Sequence, residues 1–176
     1  MRYFPNFRQT VFLLMVFLSA CSTDPQTFEE EVRHVYKRQK GFYFIKIPPA
    51  LLSLALQATG DQDMIDFFGD AGQVGFISFG TERSEDENNK LVKALEEMLD
   101  RYDFEDLMRI SDSEKLISMN IKENNGKVTD LVTIVSGKPG ALTAITLSGE
   151  IDVQTIIKVA ADFDYDLLMR MSGIGR

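Results

Sequence analysis

Cysteine and histidine occur once each in this chain, and tryptophan does not occur at all. A single thiol excludes an internal disulfide. One cysteine and one histidine cannot furnish the four nitrogen and sulfur ligands of a structural zinc site. A histidine-dependent nucleophile would have to use His34, and the chain has no Gly-x-Ser-x-Gly elbow. Basic residues are outnumbered 19 to 27, a net charge of −8. That balance argues against a nucleic-acid partner. Long apolar runs are also missing: Val11 to Leu18 supplies eight residues, where a spanning helix needs about 20.

What is present starts at the N-terminus. Arg2 and Arg8 precede the apolar run, and Leu18-Ser19-Ala20-Cys21 follows it. This order resembles a bacterial lipobox, in which the leader is cut just before the cysteine and the cysteine is acylated. The expectation is a signal peptide over 1–20, a lipid on Cys21 and a polar tether over 21–26. Three acyl chains, palmitate among them, would hold the chain to a bilayer without a spanning segment, since one chain alone anchors only marginally. Ser22, rather than Asp, follows the cysteine, which favours the outer membrane over the inner one under the enteric sorting rule. Loss of 1–20 removes two arginines and no acid, taking the net charge to about −10.

Residues 27–163 suffice for one domain with a core, and 164–176 are expected to form a terminal turn and tail. Thr27 and Glu30 have capping-box spacing ahead of a helix with Phe28, Val32, Val35 and Tyr36 on one face, and Gly41 is placed to end it. Phe42 to Ile47 has strand character, and Pro49 opens a helix through Leu51, Leu52, Leu54 and Leu56. Gly60 stops that helix. Asp61 or Asp63 can cap a short helix with Met64, Ile65, Phe67 and Phe68. Gln73 to Phe79 forms a second strand. Ser84 and Glu87 have capping-box spacing before a helix with Leu91, Leu95, Met98 and Leu99. Four strands follow: Phe104 to Ile110, Lys115 to Glu123, Lys127 to Ser136 and Ala141 to Leu147, with Asn124-Asn125-Gly126 as a hairpin signal. In Lys115 to Glu123, Ile117, Met119 and Ile121 define a core face, and Ser118, Asn120 and Lys122 a wet one. Asp152 can cap a last helix with Val153, Ile156, Ile157 and Ala160.

The first two strands are joined through helices, which predicts a parallel pair. The expected class is therefore α+β, a two-layer sandwich. Its mixed sheet joins a parallel pair to an antiparallel four-strand meander, with helices mainly on one face.

Phe104-Glu105-Asp106-Leu107-Met108 leads the meander. Leu131-Val132-Thr133-Ile134-Val135-Ser136-Gly137 lies within it, and Leu147-Ser148-Gly149-Glu150-Ile151-Asp152 ends it. With the lipobox, the first helix and the aromatic strand, these segments resemble a family of small Gram-negative bacterial lipoproteins that carry a single domain of unknown function. The resemblance implies no catalytic residues and no cofactor.

Candidate chemistry is sparse. His34 lies on the polar side of the first helix, without a partner specified by the sequence. Asp61, Asp63, Asp66 and Asp70 suggest a calcium loop, but Ile65 and Gly72 occupy the fifth and twelfth positions, where ligands are required. Capping and a solvated face explain them instead, and no metal ligand is assigned. Glu85-Asp86-Glu87 suits an acidic first helical turn. The basic run Arg33 to Lys40 has two readings. It could meet anionic headgroups, or it could be a solvated face offset by Glu29, Glu30 and Glu31, which the net charge favours.

The expected function is a membrane-anchored envelope lipoprotein with a non-catalytic binding domain. Its membrane contact is the N-terminal lipid, and its partner is another envelope protein or a small ligand. The surface expected to bind is a sheet face left open by helices or an edge of the meander. The alternative is an envelope hydrolase with a site assembled from dispersed Asp, Glu and Ser.

Overall fold

The computed structural model describes residues 24–60, 65, 71–80, 83–112, 115–137 and 141–152. Three helices and six strands follow in the order α1 (Phe28–Tyr36), β1 (Tyr43–Ile47), α2 (Pro49–Thr59), β2 (Ala71–Ser78), α3 (Glu85–Arg101), β3 (Glu105–Ser111), β4 (Lys115–Asn124), β5 (Lys127–Gly137) and β6 (Ala141–Ile151). Of the expected short helix with Met64, Ile65, Phe67 and Phe68 only Ile65 is described, and it is helical; the expected helix beyond Asp152, the signal peptide and Cys21 fall outside the described residues. No described helix is long and apolar enough to cross a membrane.

Local chemistry accounts for the element ends. Thr27 Oγ1 accepts the Glu30 amide at 3.3 Å, while the Glu30 carboxylate accepts from the Gln26 amide, so the capping box is half made. Ser84 and Glu87 make the complete box, and Glu87 is thereby held below the usual carboxylate pKa by the Ser84 backbone and hydroxyl donors. Gly60 ends α2 at φ 65°. Asn125 and Gly126, both at positive φ, close the β4–β5 hairpin.

The sheet has six strands in the order β1-β2-β6-β5-β4-β3. Every described pairing is antiparallel, so the fold is a sheet-dominated antiparallel one and the expected parallel pair and mixed sheet are wrong. The reason is visible in the register. Ile47 lies opposite Val74, so the chain leaves β1 and enters β2 at the same end of the sheet. The intervening α2 is an excursion within a hairpin, not a crossover. A helix between two strands suggests a βαβ unit only if the chain also traverses the sheet. The traverse is made by α3, which carries the chain from β2 to the far edge at β3. Strand β6 then inserts between β2 and β5.

Both faces of the sheet bury apolar side chains. On one face α1 and α3 pack through Val32, Leu95 and Leu99 onto Ile77, Ile134 and Leu142. On the other, Leu52 of α2 joins Val74, Ile117, Met119, Leu131, Ile145 and Leu147. Ile117, Met119 and Ile121, the expected core face of β4, are buried, as are Leu131, Ile134, Leu95 and Leu99, and they divide between the two faces. The expected wet face of β4 is also a correction: Ser118 and Asn120 are buried and bonded to each other at 3.1 Å. Asn88 of α3 reaches the same layer, donating to Ser136 Oγ at 2.5 Å. Alternation marks a strand's two faces, yet short polar residues can be buried where they satisfy one another.

Candidate functional site

The helical face is not covered to its end. Beyond the first turn of α1, cross-strand register aligns Gln73 of β2, Ser148 of β6, Asp130 of β5 and Lys122 of β4 in one polar row. The next row inward begins with Lys46, Gly75, Thr146 and Val132. All of these except Gly75, together with the Gln26–Glu30 turn, line a cleft of about 170 Å³.

Glu29 closes one wall. Its side chain is 13% exposed and pairs with Lys46 Nζ at 2.7 Å, and it accepts a hydrogen bond from Thr146 Oγ1. Gly75 makes this approach possible, because a Cβ at that position would collide with Glu29 and Thr146. The opposite wall is held by Lys122, whose ammonium donates to the Tyr102 carbonyl at 2.9 Å. The Tyr102 hydroxyl donates to the Pro25 carbonyl at 3.1 Å. Burial, reinforced by Glu31, pushes the Tyr102 phenol above its ordinary pKa. Asp130 accepts from the Thr129 hydroxyl at 2.9 Å.

The cleft offers hydrogen-bonding groups of both charge signs within a small volume. Pockets that engulf a small-molecule substrate run to about 300–1,000 Å³, so this one accommodates a group the size of a side chain. His34 is exposed on α1 and is not among the cleft's lining residues. Among the described residues no group of three His, Cys, Asp or Glu could hold a metal ion. The acidic cluster Asp61, Asp63, Asp66 and Asp70 lies outside the described residues.

Neither sheet face is open at its centre, where Met119, Leu131, Ile134 and Leu147 are buried. The meander edge, β3, carries a bulge between Asp106 and Met108 and charged side chains, which oppose strand addition. Sequence reasoning missed the polar row because Ser148 belongs to a strand that runs on to Ile151, past its expected end at Leu147.

A family model describing a domain of unknown function, DUF4252, matches residues 36–159. The chain belongs to the DUF4252 family. The matched span includes every strand of the sheet, whereas Glu29 and the cap of α1 precede it. The cleft of this DUF4252 domain is thus built from the family's sheet and closed by a helix turn before the match. No curated protein and no solved structure matches the chain.

Proposed function

We propose that this DUF4252 chain is a lipid-anchored envelope protein whose domain recognises a partner without catalysing a reaction. The anchor is Cys21, and Ser22 after it favours the outer membrane. The observation that carries the recognition reading is the row Gln73–Ser148–Asp130–Lys122 in a cleft sized for a side chain. Asp130 and Lys122 are cross-strand neighbours of opposite charge, suited to a polar or zwitterionic group presented by another envelope protein. The cleft opens beside Pro25 and Gln26, so a bound partner would sit close to the tether.

Photocrosslinking tests this reading. A photoreactive residue at Gln73 in the membrane-anchored chain is expected to trap a discrete partner. Asp130→Ala combined with Lys122→Ala should abolish that product while the thermal unfolding midpoint stays near wild type. The purified chain should show no turnover across a broad hydrolase panel. Turnover that disappears in Ser148→Ala or Asp130→Ala, with folding intact, would overturn the reading in favour of an envelope hydrolase.

A further inference from the structure

We infer that the β1 edge of the sheet and the outer face of α2 lie against a phospholipid bilayer, holding the domain in one orientation on its membrane. The inference rests on the lipid anchor proposed above and adds a second, non-covalent contact.

The first observation is apolar surface. Tyr43 and Ile45 of β1 are 64% and 59% exposed, and Leu51 and Leu54 of α2 are 59% and 64% exposed. The chain carries 26% charged residues, yet none lies between Ile47 and Gly60. Among the described residues β1 ends the sheet, so this surface is continuous with an edge strand.

The second observation is charge across the same edge of the sheet, on the opposite face, where α1 packs. Arg33, Lys37 and Arg38 are exposed on α1 and the turn after it, and the Arg33 guanidinium lies 5.9 Å from the ring centre of Phe44 in β1. Two of the three acids that could neutralise this run are paired with cations on other elements. Glu29 pairs with Lys46, Glu30 accepts from the Gln26 amide, and Glu31 pairs with Arg101 at 2.5 Å. An edge with exposed apolar side chains on one face and cations on the other suits the boundary between acyl chains and phosphate headgroups.

The third observation is the position of the tether. Tyr102 fixes Pro25, and the Glu29–Lys46 pair sets the first turn of α1 against the end of β1 that runs into α2. Cys21 precedes Pro25 by four residues, a reach of about 14 Å at full extension. The root of the tether and the start of α2 therefore share one end of the sheet. A second copy is a poorer occupant. Two-fold pairing of β1 edges sets the same patch against itself, bringing the Arg33, Lys37 and Arg38 clusters together.

The absence of tryptophan makes the test direct. The full chain isolated from membranes would carry Leu51→Trp, Leu54→Trp or, as a control on the exposed side of α3, Lys93→Trp. Each is reconstituted into phosphatidylcholine vesicles containing brominated acyl chains. Leu51→Trp and Leu54→Trp are expected to show blue-shifted emission quenched by the bromine, and Lys93→Trp neither effect. Lys37→Gln with Arg38→Gln, in the Leu51→Trp background, should reduce the quenching in vesicles made partly of anionic lipid. Intact mass reads acylation of Cys21 separately. If no acyl group is found, coupling the sole thiol to a maleimide lipid restores a tether, and the emission still decides the orientation. Water-like emission from both leucine positions in a tethered chain would overturn the inference. A blue shift without bromine quenching would also overturn it, because protein rather than lipid would then cover the patch.

Discussion

The two edges of the sheet are built differently. Strand β3 carries Glu105, Asp106 and Arg109, bulges at Leu107 and ties Arg109 to Glu96 of α3 at 2.5 Å. These features oppose pairing with a foreign strand. Strand β1 has no bulge in its described register and exposes Tyr43 and Ile45 beside the uncharged α2. Strand β3 itself carries three charged side chains, whereas β1 carries Lys46 alone and exposes the larger apolar surface. An acidic domain that guards one edge and leaves the other apolar has a direction, which a uniformly solvated domain lacks.

That comparison can be broken from the inside outward. Leu95, fully buried, links α3 to the sheet on the route to β3. Leu95→Ala should cost about 2–5 kcal/mol, measured by chemical denaturation, and should loosen the β3 side most. Gly75→Val acts on the β1 side, where the new side chain meets Glu29 and Thr146. Overpacking there should cost about 1–3 kcal/mol and displace the first turn of α1, seen as faster amide exchange at Phe28 to Glu31.

The cap of α3 sharpens the comparison more gently. Ser84→Ala should cost about 1 kcal/mol. It should also change the acid limb of the stability profile. Hydrogen bonds from Ser84 depress the Glu87 pKa, so their contribution is present above the ordinary carboxylate pKa and is lost as pH falls through the depressed value. Unfolding free energies measured between about pH 3 and pH 6 should therefore fall less steeply in Ser84→Ala than in wild type. Ile45→Lys, on the exposed face of β1, should change stability by no more than about 0.5 kcal/mol. A large loss would show that this position is packed in the folded chain.

Local signals carried the helices and strands. Proline at the start of α2, glycine at its end, and the Ser84–Glu87 box each act within a few residues and were legible in the sequence. Pairing direction was not. The expected parallel pair failed because the pattern of β1, α2 and β2 does not record that Ile47 and Val74 face one another at the same end of the sheet. The buried face of β4 was missed because Ser118 and Asn120 are polar residues that satisfy each other within the strand, so their polarity does not mark a solvated face. The cleft was illegible for a similar reason. Gln73, Ser148, Asp130 and Lys122 become neighbours only when β6 inserts between β2 and β5. The basic run Arg33 to Lys40 was legible, but its setting was not, because Glu29 and Glu31 find their partners on β1 and α3.

The difference between the two edges is most directly tested by amide hydrogen exchange on the chain in detergent and on the same chain tethered to phospholipid vesicles. The account predicts slower exchange on vesicles across Tyr43–Ile47 and Pro49–Thr59, with Glu105–Ser111 unchanged. Equal changes at both edges, or protection confined to Glu105–Ser111, would contradict it.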